Sequence, residues 1–283
     1  MSLTELLTSE QLTLEDHYGD VIRKAMRGLN ITVSDLAVRA QIDENDVHAL
    51  LDGAVDSLVL SKCAFVLHLH APSLIQLAEE KWAPHPVEPM PGFAMSTTWY
   101  GDMTVNAYIV WDLETKKAAT FDTGSSCQPL LEIARNENLC IERVFITHIH
   151  QDHLADLPLL LSETRARGFG SLVDNPLSLS PLKHGDGLIL GSLTIRVLQT
   201  SGHTPGGLSY YIEGLEKPLV IVGDSLFAAS QGGAPAHAYQ EALRNNRDNI
   251  LSLPKQTIIC PGHGLLTTVE EERAHNPFFP ELK

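Results

Sequence analysis

Three imidazoles and a carboxylate fall within six residues at His148-Ile149-His150-Gln151-Asp152-His153. The apolar stretch Val144-Phe145-Ile146 runs straight into them and reads as a buried strand. In a parallel α/β layer, chemistry gathers at the carboxyl ends of strands, and histidine and carboxylate donors at such an end are metal ligands. One histidine would read as loop; four ligand-type residues at this spacing read as a metal site. Three more apolar segments end the same way. They lead into Thr200-Ser201-Gly202-His203-Thr204-Pro205-Gly206-Gly207, Val222-Gly223-Asp224-Ser225-Leu226-Phe227 and Cys260-Pro261-Gly262-His263-Gly264. A lone Gly-Asp or Gly-His is turn chemistry. Four such loops at four strand ends are specific together, and the glycines let the backbones draw close around one centre.

These loops need strands to hold them. Val105 to Trp111 and Lys117 to Phe121 alternate as paired strands, and Asp122-Thr123-Gly124 closes the second with turn chemistry. Pro129 to Glu137 reads as a helix, followed by a strand over 143–147. Leu188 to Leu190 and Leu193 to Leu198 form a hairpin turned at Gly191-Ser192. Leu208 to Ile212, Leu219 to Val222 and Thr257 to Cys260 are further strands, and Ala238 to Leu251 is a helix. Two strand-rich halves with helices outside imply a layered αββα sandwich.

The set of four loops resembles the metallo-β-lactamase superfamily over about residues 93 to 280. The strings His203-Thr204-Pro205-Gly206, Gly223-Asp224-Ser225-Leu226-Phe227 and Pro261-Gly262-His263-Gly264 resemble its glyoxalase II (hydroxyacylglutathione hydrolase) branch, as does the tail from Leu266 to Phe279. The resemblance implies that His148, His150 and His203 hold one divalent metal, that Asp152, His153 and His263 hold a second, and that Asp224 bridges them. It makes Asp152 and Asp224 the catalytic carboxylates. Seven N and O donors suit Zn²⁺, with Fe and Mn as the other cations of that chemistry. Water shared by two such cations loses a proton near neutral pH and attacks a carbonyl, so the implied reaction is hydrolysis of a thioester or another ester, a lactone included. Asp224 where zinc β-lactamases carry Cys, and His150 where flavodiiron-like reductases carry Glu, separate the chain from those branches. Persulfide dioxygenases of the superfamily use one iron and usually carry Ala-His-Asp in the last loop, where this chain has Gly262-His263-Gly264; that favours the two-metal hydrolase and keeps the dioxygenase as the alternative, with a metal-domain sensor or interaction protein as the non-enzyme alternative. The chain departs from the family in three places: Leu154-Ala155-Asp156 stands where two glycines often follow the first motif, and two more departures are from glyoxalase II. The loop Ala228 to Pro235 lacks the family's Gly-Arg element, and no basic C-terminal helical domain follows before Lys283.

Residues 1–83 read as a small all-α domain, 84–92 as a Pro-rich linker and 93–283 as the catalytic domain. The linker, Pro84-His85-Pro86-Val87-Glu88-Pro89-Met90-Pro91, is stiffened by its prolines. Leu14 to Arg27 carries helical spacing with Gly28 as its stop. Thr32 or Ser34 caps Val33 to Ala40, and Asp43 caps Glu44 to Leu51. The pattern resembles a Cro/phage-repressor helix-turn-helix. Its recognition position, Glu44 to Asp52, holds three acidic residues and no Lys or Arg, and residues 1–85 hold six Lys/Arg against thirteen Asp/Glu. Phosphate contacts dominate DNA affinity, so this reads first as an interaction or homo-dimerisation module, with a DNA-binding role and a helical cap on the catalytic domain as the alternatives. His68 and His70 read as core or cap residues, and His184 and His237 as solvated. His275 reads as packing, and of Tyr210 and Tyr211 at most one can face the site.

Length and composition fit one large domain plus a small one: 283 residues, 43% hydrophobic, net charge −15. Cys63, Cys127, Cys140 and Cys260 are scattered like reduced cytosolic thiols. No leader pattern at Met1 to Glu5 and no run of 18 apolar residues place the chain in the cytoplasm, with a small-molecule substrate and no membrane contact.

Overall fold

The structure, a computed structural model, describes residues 13–175 and 179–283; Met1 to Glu5 lie outside them. Five helices come first. α1 (Tyr18–Leu29) starts four residues later than its apolar spacing suggests and runs through Gly28. Asn30, in the left-handed conformation, ends it instead. Gly28 is in the helix because Tyr239 lies against it: a Cβ there would sit 2.2 Å from that ring. α2 (Val33–Ala40) is capped by Thr32, which accepts from the Asp35 N–H, and α3 (Glu44–Leu51) by Asp43. α4 (Ser57–Val66) starts at Asp56. His68 then turns the chain in the left-handed region, and His70 caps α5 (Ala71–Ala78). Thus the two histidines mark the turn between α4 and α5, with His70 in the capping role read from the sequence.

Residues 81–92 run without helix or strand. They are tied down by the His85 N–H, which donates to Glu271 Oε1 at 2.8 Å, and by Trp82 stacked on His275. The first sheet follows in sequential order: β1 (Phe93–Tyr100), β2 (Met103–Trp111), β3 (Lys117–Phe121), β4 (Cys140–Phe145), β5 (Arg167–Ser171) and β6 (Ser180–Leu182). β1, β2 and β3 pair antiparallel; from β3 to β6 the pairs are parallel. Parallel pairs need crossovers. α6 (Gln128–Asn136) supplies the one between β3 and β4, and α7 (Gln151–Leu154) with α8 (Leu157–Thr164) the next.

In the second sheet β7 (Gly187–Leu190), β8 (Leu193–Gln199), β9 (Leu208–Glu213) and β10 (Leu219–Gly223) meander antiparallel. β11 (Leu226–Phe227) and β12 (Ser230–Gln231) make a separate short hairpin. α9 (Ala236–Asn245) and a π-helical turn, Asn246–Ile250, occupy the stretch expected as one long helix. β13 (Ile258–Pro261) joins β10 in parallel, β14 (Thr267–Thr268) closes the edge, and α10 (Val269–His275) precedes the tail.

Side-chain alternation along the strands builds the layers. Leu219 and Ile221 of β10 point between the sheets with Phe121, Phe145 and Tyr210. Their neighbours Val220 and Val222 point outward with Tyr211. Outside the first sheet, Ile109 and Val144 pack on Leu130 of α6 and Leu160 of α8. Outside the second, one continuous core joins Val220, Tyr239 and Ala242 to Val21, Ile22, Leu36, Leu60 and Leu74 of the first helices. The αββα sandwich therefore carries the N-terminal helices directly on its second outer face. Both tyrosines are spent in these cores, Tyr210 donating to the Ile146 carbonyl at 2.7 Å. Among the described residues no helix is long and apolar enough to cross a membrane.

Candidate metal centre

All four ligand loops meet at one edge of the sandwich. Just beyond β4, His148 and His150 precede the short α7, which carries Asp152 and His153. His203 lies in the β8–β9 loop, Asp224 directly after β10 and His263 directly after β13. Gly223 and Gly262 make this closeness feasible. Gly223 has φ +52 and touches Thr147, where a Cβ would come within 2.4 Å of Oγ1. A Cβ at Gly262 would lie 2.2 Å from Asp224 Oδ1 and 2.5 Å from His153 Cε1.

The seven residues named from the sequence form two adjoining clusters, His148/His150/His203/Asp224 and Asp152/His153/His263. In the first, His150 Nδ1 lies 3.0 Å from both His148 Nε2 and His203 Nε2. Three ring nitrogens converging this way cannot all present lone pairs unless a proton or cation stands among them. In the second, Asp152 Oδ2 is 3.4 Å from His153 Nε2 and 3.3 Å from His263 Nε2. Asp224 sits between the two. Its Oδ2 lies 3.8, 3.6 and 3.4 Å from Nε2 of His148, His203 and His263, and its Oδ1 lies 3.3 Å from His153 Nε2. Tetrahedral bonds of about 2.0–2.2 Å put ligand atoms roughly 3.3–3.6 Å apart; the carboxylate–imidazole pairs keep that spacing except His148–Asp224 at 3.8 Å, and the His150 contacts are tighter at 3.0 Å. His153 Nε2 and Asp224 Oδ1 are also fully buried without a hydrogen bond. They face each other out of hydrogen-bonding alignment, as two donors to one cation would.

The outer atoms of the rings explain which nitrogen points inward. His203 Nδ1 donates to the Gly233 carbonyl at 2.9 Å and His263 Nδ1 to the Thr104 carbonyl at 2.6 Å. His153 Nδ1 donates to Asp122 Oδ2 at 2.9 Å. The Thr147 hydroxyl also donates to Asp122 Oδ2, at 2.8 Å, which leaves its lone pair to accept from His148 Nδ1 at 3.0 Å. Each of these four rings keeps its Nε2 lone pair for the centre. Asp122 thus orients two ligands, one directly and one through Thr147, and it also accepts the Thr147 N–H at 2.8 Å. The sequence pointed to Asp122 only as turn chemistry. A carboxylate ending an apolar strand was the same signal that marked Asp224, but the following Thr-Gly explained it sufficiently as a turn.

Charge matches the donor set. Burial pulls the His153 imidazole down, but the Asp224 and Asp122 carboxylates outweigh it and raise its pKa to about 10. Burial likewise opposes and Asp152 and Asp224 override at His263, raised to about 11. Asp224 is held well below the usual carboxylate range: burial pushes it up, and His153 and His263 more than offset that. Burial and the neighbouring His153 hold His148 well below the ordinary imidazole range. Burial, assisted by His150 and His153, also lowers His203. The carboxylates that retain protons on His153 and His263 would equally retain a cation. His148, Asp152, His153, Asp224 and His263 are buried, whereas His150 is exposed and His203 partly so, which defines the open side. His184 and His237 are exposed and stand apart from the centre, as read from the sequence.

Comparison with known proteins agrees with this geometry. The Metallo-beta-lactamase superfamily model matches residues 100–263. The probable metallo-hydrolase YqgX of Bacillus subtilis (strain 168) is 29% identical over 201 residues, 63% of this chain and 93% of that protein. A hydroxyacylglutathione hydrolase of Pseudomonas entomophila (strain L48) is 26% identical over 68% of this chain and 71% of its own length. The crystal structure of ETHE1 from Myxococcus xanthus superposes with a TM-score of 0.58 at 26% identity, over 65% of this chain and 83% of that one. With the metal-ligand loops falling inside the matched region, this chain belongs to the metallo-beta-lactamase superfamily.

Proposed function

We propose that the protein is a two-metal hydrolase, loaded with Zn²⁺, that cleaves a thioester or a related ester. One observation carries this reading: seven N and O donors form two adjoining clusters around Asp224, with no thiolate or hydroxyl nucleophile among them. When bound, the cations would supply ionised water near neutral pH and positive charge for a carbonyl oxygen under attack. His148, His150 and His203 would hold one cation, and Asp152, His153 and His263 the other, with Asp224 facing both. The remaining work belongs to the chain. Asp122, Thr147, Thr104 and Gly233 fix the ring nitrogens. Asp152 and Asp224 set the negative charge of the site. The exposed side of His150 and His203 leaves an approach for the substrate. The kinship with a hydroxyacylglutathione hydrolase supports the thioester class. The acidic surface of α3 argues for packing and protein contacts over phosphate contacts in the helical module.

The test is thiol release from S-lactoylglutathione, other thioesters and lactones by protein reloaded separately with zinc, manganese or iron. Two zinc ions per chain are expected, with turnover abolished in His150→Ala and in Asp224→Ala while the fold survives. Turnover retained in both variants would overturn the assignment. So would one bound iron with oxygen-dependent persulfide consumption and no hydrolysis, which is the dioxygenase chemistry of this superfamily.

A further inference from the structure

The metal loop borrows a cation from the helical module. From Ala228 to Tyr239 the loop following Asp224 has no Lys or Arg of its own. Its two glycines have separate reasons. A Cβ on Gly232 would lie 1.7 Å from the Asp224 carbonyl oxygen and 3.3 Å from His203 Cβ, so the backbone is pressed against two ligands. A Cβ on Gly233 would lie 2.0 Å from Nη2 of Arg27. The guanidinium of α1 therefore occupies the side-chain space of a residue whose carbonyl accepts from His203 Nδ1.

Among the described residues, Arg27 is the basic side chain of α1 that has no carboxylate partner. Arg23 pairs with Asp20 and donates to the Leu51 carbonyl. Lys24 pairs with Asp16, donates to the Gln231 carbonyl at 3.0 Å and lies over the Phe227 ring. Arg27 is exposed and has no carboxylate partner among the described residues. It lies against Gly233, the residue that holds His203 Nδ1, and His203 with His150 forms the open side of the centre. The segment before α1 also presses Glu15 against Gly264, next to His263.

We propose that Arg27 is a specificity residue that docks a substrate carboxylate, so that the site selects thioesters or esters bearing a carboxylate a few atoms from the scissile bond. A guanidinium fork fits a carboxylate with two parallel hydrogen bonds. One unpaired cation in a module of acidic balance suits a monoanion. This rests on the hydrolase reading for the word substrate; the docking itself does not.

The experiment is calorimetric binding of thiol products to the zinc-loaded full chain, so that no turnover is needed. The probes are ω-mercaptocarboxylates of three to six carbons and the ω-mercaptoalcohols of equal length. In the wild type, one length of acid should bind about tenfold or more tighter than its alcohol, the worth of a charge-assisted hydrogen bond. Arg27→Gln should erase that advantage and leave alcohol binding unchanged. Gly233→Ala, which pushes the guanidinium aside, should reduce it. Equal affinity of acids and alcohols in the wild type, or an advantage that survives Arg27→Gln, would overturn the proposal. Equal losses for both probe classes in Arg27→Gln would also do so, because they would show Arg27 merely propping the loop. An intact carboxylate preference with no hydrolysis of any ester would sink the hydrolase reading and leave the docking site standing.

Discussion

Asp122→Asn tests whether ring orientation makes the metal centre. Asp122 sits at φ +57, a conformation asparagine adopts readily, so the backbone has no reason to move. The carboxylate accepts from three donors: Oδ1 from the Thr147 N–H, and Oδ2 from the Thr147 hydroxyl and from His153 Nδ1. An amide has one acceptor oxygen. If the oxygen keeps the Thr147 N–H, the NH₂ group faces Thr147 Oγ1 and His153 Nδ1. His153 must then accept at Nδ1 and carry its proton on Nε2, pointing into the second cluster. The Thr147 hydroxyl must turn its proton to His148 Nδ1, which moves the His148 proton to Nε2 in the first cluster. The opposite amide orientation sets NH₂ against a backbone N–H in a buried place, at a cost of about 1–3 kcal/mol. The second orientation keeps both ring lone pairs at that cost, so the first is favoured, and in it each cluster loses a lone pair. Removal of an outer partner of a ligand typically weakens metal binding about 10–100-fold, and here each cluster should fall by about that factor. Zinc competition against a chromophoric chelator reads both sites, and urea unfolding verifies the fold. Two sites of wild-type affinity in a folded Asp122→Asn protein would refute the orientation argument.

Two further outcomes concern the frame around the centre. Gly28→Ala drives a methyl into the Tyr239 ring, and such overpacking should lower stability by about 1–3 kcal/mol; an unchanged urea midpoint would mean that α1 does not pack on α9 this closely. Glu272 is fully buried beneath Ala229, Asn276 and Thr267. Burial raises its pKa from 4.5 to about 7, against the opposing hydrogen bonds. A raised carboxyl contributes stability that is complete below pH 4.5 and fades as pH rises through about 7. Relative to Glu272→Gln, the wild type should therefore lose up to about 3 kcal/mol between pH 5 and pH 8. A stability difference between the two proteins that stays constant over that range would remove Glu272 as the source.

The seven ligand-type residues were legible because each ends an apolar strand or follows one closely, and strand ends are where such residues have no core to join. The strands themselves were readable where one face alternates, as in Leu193 to Leu198, or where an apolar run is buried on both faces, as in Leu219 to Val222. Less legible were β1, whose serine and threonines hide its period, and the break between α9 and the π-turn, where helical spacing runs on without interruption. The end of α1 was misplaced because Gly28 has a packing reason that lies more than two hundred residues away, at Tyr239.

The sequence alone determined the order of the ligand loops, the donor chemistry and the acidic character of the first helices, since period, residue type and charge are local properties. Only the tertiary structure decided which ring nitrogen faces inward, because that depends on Asp122, Thr104 and Gly233 approaching from three distant segments. It alone also placed Arg27 against Gly233 and Glu15 beside Gly264. Nothing in the local pattern of α1 points to the metal loops. That contact arises because the outer face of the second sheet and the apolar faces of the helices share a single core.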